Sequence, residues 1–263
     1  MKGGIDNMSK EIEFTPDNFV DESVKAFEKF AVKSSSTTLF KCFVTYYAEH
    51  CSKEVQGIGS ASTVRHAREY FSDEAFNFFE HYIVKLAKVM QEKPNDYLGQ
   101  IYQRLNANNR NLGQIFTPFH IAHVMAKMTT IYDGSKLANG KVQEVLDPCC
   151  GAGSLLLGAG VSLLDQGVNV LDFVLIGQDI DEFCAAMCYL QLTALGVAGV
   201  VKVGNSLTDE VARIYYTPVA AVQKIALANT KVKEGTADKD DLMISDVISQ
   251  MAPLILLKEL IAQ

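Results

Sequence analysis

The stretch LDPCCGAGSLLL, Leu146–Leu157, joins an apolar segment, an Asp-Pro pair, two cysteines and Gly-x-Gly to a second apolar run. This pattern predicts a strand over VQEVLD, Val142–Asp147, then a tight turn and a helix from Ser154 to about Gln166. The backbone N–H groups at the start of such a helix can face an anionic ligand. From these residues alone, a thiolate metal site, a nucleotide-binding loop and an ordinary turn all remain possible.

Two further strands follow along the chain. FVLIGQD, Phe173–Asp179, is a near-continuous apolar run, which is typical of a strand buried in a parallel sheet. A helical stripe ended by Gly196 comes next, and VVKVG, Val200–Gly204, is the third strand. Because strands alternate with helices, we expect an α/β, doubly wound Rossmann-like fold.

The first part of the chain has a different pattern, since apolar residues recur there at helical spacing with no strand-like alternation. We predict a helical N-terminal region, residues 1–110, followed by a Rossmann-like domain, residues 111–263. Between the two, FTP predicts a helix capped by Thr117 and started by Pro118. We expect its apolar side chains to face the core: Ile121, Val124, Met125 and Met128.

Charge and composition limit the possible partners. The net charge is −7, and no dense cluster of Lys or Arg is present, whereas a chain that binds duplex DNA alone usually carries a basic face. Any contact with DNA would therefore require a partner subunit or a small local patch, and a protein partner or a homo-oligomer is expected. We expect a cytoplasmic protein with no membrane contact, because no apolar run is long enough for a span and the first residues lack a secretory signal.

The six cysteines form no CxxC motif. Cys184 and Cys188 lie four residues apart on a predicted helix, so they and the Cys149–Cys150 pair could in principle meet as a four-thiolate site. Buried, reduced thiols that act as small apolar side chains are the favoured interpretation, and no metal is predicted.

Polar groups end each of the three predicted strands. Asp179 ends the second strand, where a carboxylate can accept hydrogen bonds from ribose hydroxyls. Ile180 follows it and is free to pack on an adenine face, and Asn205 with Ser206 offers polar groups to an adenine edge. The three strand ends together predict a nucleoside-binding site.

Four segments in this order, GQIFTP, LDPCCGAGSLLL, GQDID and GNSL, resemble the motifs of N6-adenine DNA methyltransferases. The similarity is greatest to the modification subunits of type I restriction-modification systems and their short relatives, and DYLGQIYQRL, Asp96–Leu105, resembles a helix of that family. The resemblance implies a Rossmann-like domain that binds S-adenosylmethionine.

The resemblance also implies roles for individual residues. Phe116, Thr117 and Pro118 would contact the methionine end of the cofactor. The Asp-Pro-glycine loop would line its amino-acid part, through Asp147, Pro148, Gly151, Gly153 and Ser154. Asp179 would hold the ribose, Ile180 the adenine face, and Asn205, where the family commonly has Asp, would accept a hydrogen bond from the adenine amino group.

The catalytic motif of that family is missing. An adenine amino group is a poor nucleophile, and the family activates it through the motif [NDS]-P-P-[YFW]. A side-chain oxygen and a backbone carbonyl of this motif accept hydrogen bonds from the amino group, and its aromatic ring stacks on the flipped base. This chain has no such tetrapeptide. Degenerate versions are IYYTPVA, with Tyr215 or Tyr216, and DLMISDVIS, with Asp246. Aromatic residues in a surface loop and a capping Asp are the favoured interpretations.

The catalytic residues therefore stay unknown at this point, and the predicted sheet, with three strands and a possible fourth over Asp241–Asp246, is short for a methyltransferase. Three functions remain open: a DNA adenine methyltransferase, a catalytically inactive relative that acts as a binding or regulatory module, and a methyltransferase for small molecules or proteins.

Overall fold

The computed structural model describes residues 13–32, 34–56, 69–106, 116–132 and 142–233, except for the side chains of 54, 80, 225, 226 and 228–233. The helices and strands in these ranges are, in chain order, α1 Phe19–Phe30, α2 Ser36–Gln56, α3 Asp73–Glu80, α4 Tyr82–Glu92, α5 Tyr97–Leu105, α6 Phe119–Thr129, β1 Gln143–Asp147, α7 Ser154–Asp165, β2 Phe173–Asp179, α8 Glu182–Leu195, β3 Gly199–Asn205, β4 Glu210–Tyr216 and α9 Pro218–Lys233.

The four strands form one sheet in the order β1-β2-β3-β4. The first three run parallel, with Asp147 opposite Gly177 and Asp179 opposite Val203. Helices α7 and α8 connect these parallel strands and pack on the sheet. The predicted α/β class with a parallel, Rossmann-like sheet is confirmed, and β2 has the bounds that the apolar run predicted.

Helix α8 is the centre of the hydrophobic core. Almost every residue from Cys184 to Leu195 is buried, because α8 lies between the sheet and helices α2 and α4. A helix that is apolar on all sides requires such cover. The apolar contacts are thus continuous from the N-terminal helices to the sheet. The boundary predicted near residue 110 falls outside the described residues and stays a prediction.

The N-terminal helices differ from the sequence pattern at one point. Ser72 caps α3, since its side chain accepts a hydrogen bond from the backbone N–H of Ala75. The apolar pattern of this region is continuous, but it is divided between two helices, since His81 separates α3 from α4. None of the helices in the described part of the chain has the length and apolar character that a membrane crossing needs.

Strand β4 lies where no strand was predicted. It runs antiparallel to β3 as the second arm of a hairpin, with Asn205 opposite Glu210 and Val200 opposite Tyr216. The tight return requires Gly204, because a Cβ at this position would overlap the carbonyl oxygen of Glu210. The possible fourth strand over Asp241–Asp246 lies outside the described residues.

Helix α9 covers the second face of the sheet. Its Ala220 packs with Val174 and Ala198. The side-chain amide of Gln223 donates to the backbone carbonyls of Leu171 and Phe173, both at 2.9 Å, and so attaches α9 to the start of β2.

The orientation predicted for α6 is wrong. The side chains of Val124, Met125 and Met128 are 58%, 48% and 76% exposed. The helix packs on α7 through Ala122 and Ala126 instead. A Cβ at Gly158 would lie 2.8 Å from the backbone of Ala122, so the two helices approach too closely for larger side chains between them. Backbone proximity rather than the apolar stripe therefore determines which face is buried.

Candidate cofactor site

The carboxyl ends of β1, β2 and β3 meet at one edge of the sheet and carry Asp147, Asp179 and Asn205. This edge is where α/β sheets bind their ligands. The structure thus brings together the three strand-end residues that the sequence predicted.

Asp179 joins the two loops that follow β1 and β2. Its Oδ2 accepts a hydrogen bond from the backbone N–H of Gly151 at 2.8 Å, and its Oδ1 accepts one from the N–H of Asp181 at 2.9 Å. Each carboxylate oxygen has a second lone pair, so Asp179 can still accept hydrogen bonds from a ribose. The carboxylate therefore holds the glycine loop and keeps acceptor capacity at this edge.

Asp147 has one satisfied and one unsatisfied oxygen. Its Oδ1 accepts a hydrogen bond from the N–H of Cys149 at 3.1 Å. Its Oδ2 is buried, and no partner for it is found among the described residues. Burial raises the pKa of the Asp147 carboxyl, and the nearby negative charge of Asp179 raises it further against the opposing hydrogen bond. A buried acceptor beside a second carboxylate favours a ligand that brings a positive charge or N–H and O–H donors.

The two glycines of the loop serve different purposes. Both have positive φ, +52° at Gly151 and +95° at Gly153. Gly151 lies beneath the Phe116 ring, and a Cβ on Gly151 would be 3.2 Å from the nearest ring carbons. The N–H of Gly151 donates to Asp179. Gly153 is buried, and a Cβ there would be only 2.8 Å from the Sγ of Cys188. Gly153 is thus required by packing, whereas Gly151 shapes the surface next to Asp179.

The FTP segment contacts the glycine loop directly. The hydroxyl of Ser154 donates to the backbone carbonyl of Thr117 at 2.8 Å, so this side chain ties the segment to the start of α7. Pro118 occupies the N-cap position of α6, one residue later than the predicted cap at Thr117. The segment lies against the loop, as the sequence motifs required, although the hydroxyl proton of Ser154 is used within the protein.

The remaining predicted contacts also lie near this edge. Ile180 follows β2 and is 73% exposed, which leaves its side chain available to an aromatic ring. The Oδ1 of Asn205 accepts a hydrogen bond from the N–H of Leu207 at 2.9 Å and shapes the hairpin turn. A cleft of about 260 Å³ begins at Asp147 and Pro148 and continues between α6 and α7.

Of the two degenerate catalytic segments, the structure describes IYYTPVA, and it is not brought to this edge. Tyr216 lies opposite Val200 at the start of β3, whereas Asn205 is at its end. Five residues of strand separate the two positions by roughly 17 Å. The Tyr216 ring packs on the second face of the sheet, with the ammonium of Lys224 5.2 Å from its centroid. Asp246 lies outside the described residues.

The cysteines take the role of small apolar side chains. Cys150, Cys184 and Cys188 are buried and Cys149 is exposed. Cys150 packs over Gly177 of β2, at 3.0 Å from the position of a Cβ there. Within the described ranges no group of three or more His, Cys, Asp or Glu side chains is arranged to hold a metal ion.

Sequence reasoning missed one polar network behind the loop. Gln191 is completely buried in α8, and its amide contacts both Asp96 and the carbonyl of Ala152. The signal was present as an amide side chain in a predominantly apolar helix, FCAAMCYLQLTAL, but its partners are 95 and 39 residues away.

The chemistry of this edge fits S-adenosylmethionine. The acidic pair suits the positively charged amino-acid end and the ribose hydroxyls, and the start of α7 suits the carboxylate. Ile180 provides an exposed apolar surface at this edge. The fold and these groups define a nucleoside-binding Rossmann-like domain of the S-adenosylmethionine-dependent type.

Comparison with known proteins gives the family. The model of a family described as N-6 DNA methylase matches residues 93–234, which is more than half of the chain. The chain therefore belongs to the N-6 DNA methylase family, whose cofactor is S-adenosylmethionine. A search of curated proteins finds no match.

Among solved structures, a chain from Listeria monocytogenes described as a class I S-adenosylmethionine-dependent methyltransferase is similar at 13% identity with a TM-score of 0.39. The match covers 73% of this chain and 55% of that one, so this chain corresponds to about half of the length of that protein. This similarity is weak, and the family assignment comes from the family match.

Proposed function

We propose that this chain supplies the cofactor-binding part of a DNA adenine-N6 methyltransferase and that a partner subunit contributes to contact with DNA. The observation that carries the proposal is the acidic edge formed by Asp147 and Asp179. There, a buried carboxylate oxygen lacks a partner among the described residues, next to a loop held by the second carboxylate.

The residues of this edge would bind and orient the cofactor. Asp147 accepts donors from the amino-acid end, Asp179 accepts the ribose hydroxyls, and Ile180 packs against the adenine. Bound in this way, S-adenosylmethionine supplies an electrophilic methyl group. The contribution of the chain is to hold that group in one orientation, since alignment with an incoming nitrogen accounts for much of the rate of such a transfer.

The need for a partner follows from charge and from the position of Tyr216. The net charge of −7 opposes binding to a polyanion, and the sequence lacks the tetrapeptide that accepts adenine amino protons. The aromatic candidates that the structure describes, Tyr215 and Tyr216, pair with Val201 and Val200 near the start of β3, at the opposite end of the sheet from the cofactor edge. The acceptors for the amino group are therefore expected from elsewhere in the assembly.

A second function is favoured by the same observations. If no partner supplies these acceptors, the chain is a catalytically inactive relative that binds S-adenosylmethionine and acts as a regulatory module. The hairpin strand β4, which follows the third parallel strand directly, supports this alternative because it directs IYYTP away from the cofactor edge.

Calorimetric titration with S-adenosylmethionine tests the site. Asp179→Asn removes a charged hydrogen-bond acceptor. We expect the binding free energy of S-adenosylmethionine to weaken by about 1.5–3 kcal/mol, which is on the order of 10- to 150-fold in affinity. Asp172→Asn is the matched control, because Asp172 precedes the same strand at its other end. No binding by the unmodified chain, or equal affinities for the two variants, would contradict the site.

Transfer of a tritiated methyl group to mixed-sequence DNA separates the two functions. We expect N6-methyladenine from the complex purified with its natural partners and little from the chain alone. Absence of transfer by a complex that binds both cofactor and DNA would support the regulatory module, and strong transfer by the chain alone would refute the requirement for a partner.

A further inference from the structure

Gln191 connects two segments that are far apart in the sequence. Its Nε2 donates to the Oδ1 of Asp96 and to the carbonyl of Ala152, each at 2.8 Å, and its Oε1 accepts from the N–H of Leu98 at 3.0 Å. Both protons of the amide are therefore used, in a place that is completely buried.

The two ends of this connection are a helix start and the cofactor loop. Asp96 is the N-cap of α5 and also accepts from the N–H of Gly99 at 2.9 Å. Ala152 lies between Gly151 and Gly153, which both have positive φ. The amide of Gln191 thus reaches the loop from the side of the N-terminal helices, whereas Asp179 holds it from the side of the sheet.

A loop with two residues of positive φ needs restraints on the peptide between them. The Ala152 carbonyl is restrained by Gln191, and the N–H of Gly151 by Asp179. If the first restraint is lost, the peptide between Ala152 and Gly153 is free to rotate, and we expect the altered loop to disturb the neighbouring hydrogen bond from Gly151 to Asp179. Buried amide networks of this kind determine one conformation because an unpaired buried group is unfavourable.

We propose that Gln191 is a positioning residue for the cofactor loop, and that through Asp96 it couples the packing of α5 to the affinity for S-adenosylmethionine. This inference rests on the proposed function of the site, and it adds a dependence on the N-terminal helices. A partner that shifts α5 would thereby change cofactor binding without touching the cofactor.

The test compares Gln191→Met with Gln223→Met. Both replace a buried glutamine whose Nε2 has two bonds, but Gln223 lies at the opposite end of the sheet and donates to the carbonyls of Leu171 and Phe173. Backbone amide hydrogen exchange of residues 149–154 is measured in the cofactor-free chain, and the affinity for S-adenosylmethionine is measured by calorimetry. We expect Gln191→Met alone to accelerate loop exchange and to weaken binding on the order of tenfold, the effect of losing one hydrogen bond that orients the site.

A second pair of variants covers the case in which Gln191→Met does not fold. Asp96→Ala removes the acceptor that orients the Gln191 amide, and Asp96→Asn keeps an acceptor of the same shape. We expect faster loop exchange and weaker binding in the Ala variant, with recovery in the Asn variant. If Asp96→Ala acted only through a general loss of packing, hydrogen exchange would be faster throughout the N-terminal helices and not selectively in the cofactor loop.

The outcomes decide the two proposals separately. Unchanged loop exchange in folded Gln191→Met, or equal changes in Gln223→Met, overturns the positioning role. If the unmodified chain binds no S-adenosylmethionine, the proposed function fails, while loop exchange still decides whether Gln191 restrains the loop.

Discussion

Replacement of Gly153 by alanine tests why the glycine loop has its shape. The φ of +95° at Gly153 is unfavourable for any residue with a Cβ, and the new methyl group would lie 2.8 Å from the Sγ of Cys188. Gly167 is the matched control, since its φ is +75° but no atom lies within 4 Å of its Cβ position.

The two substitutions share one energetic contribution and differ in the other. Left-handed backbone at alanine costs about 1–2 kcal/mol, and this contribution applies to both positions. Overpacking of a buried site costs about 1–3 kcal/mol in addition, and it applies to Gly153 alone. We therefore expect Gly153→Ala to lower the free energy of unfolding by about 2–5 kcal/mol and Gly167→Ala by about 1–2 kcal/mol.

Urea-induced unfolding followed by circular dichroism measures this difference, and calorimetry with S-adenosylmethionine measures its consequence at the site. Gly153→Ala should weaken cofactor binding because the methyl group must displace Cys188 or the loop. Equal destabilisation of the two variants would refute the close approach of Cys188. Full cofactor affinity in Gly153→Ala would refute the dependence of the site on this packing.

Two further predictions concern buried charges. Burial raises the pKa of Asp96 to about 6 from 3.8, so the folded state binds a proton that the unfolded chain has lost, and stability falls as pH rises through this window. The free energy of unfolding should fall between about pH 4 and about pH 7, and this fall should be roughly 3 kcal/mol smaller in Asp96→Asn. Urea unfolding at each pH measures it. The same pH dependence in the two proteins would contradict the prediction. Arg213 pairs with the buried Glu49, whereas Arg104 pairs with the half-exposed Asp21. Arg213→Met should therefore lower the free energy of unfolding by about 3 kcal/mol, and Arg104→Met by less than about 1 kcal/mol, as measured by thermal unfolding. Similar losses in the two variants would show that the burial of Glu49 does not matter.

Local patterns predicted the cofactor half of the fold well. The bounds of β2, the start of α7 after the glycines, and the end of α8 at Gly196 all follow from short-range signals. An apolar run flanked by turn residues specifies a strand, and a glycine with positive φ, +77° at Gly196, ends a helix wherever the rest of the chain lies. The order of such signals is also what indicated the family.

Other features depend on which surfaces meet. The stripe of α6 predicted its orientation wrongly, because the small residues Ala122 and Gly158 allow the two helix backbones to touch and so bury the other face. The strand β4 was not anticipated, since the sequence around Tyr216 is equally compatible with a loop near the site.

The sequence by itself therefore determined the cofactor chemistry, because Asp147, the glycines and Asp179 lie at strand ends that parallel pairing brings to one edge. Tertiary structure alone decided that Tyr216 lies far from that edge and that Gln191 links Asp96 to the loop. The physical reason is the separation in sequence between the residues that interact. Strand ends and turns are encoded by neighbouring residues, whereas a hairpin at the sheet edge and a buried amide network depend on partners that only the folded chain brings into contact.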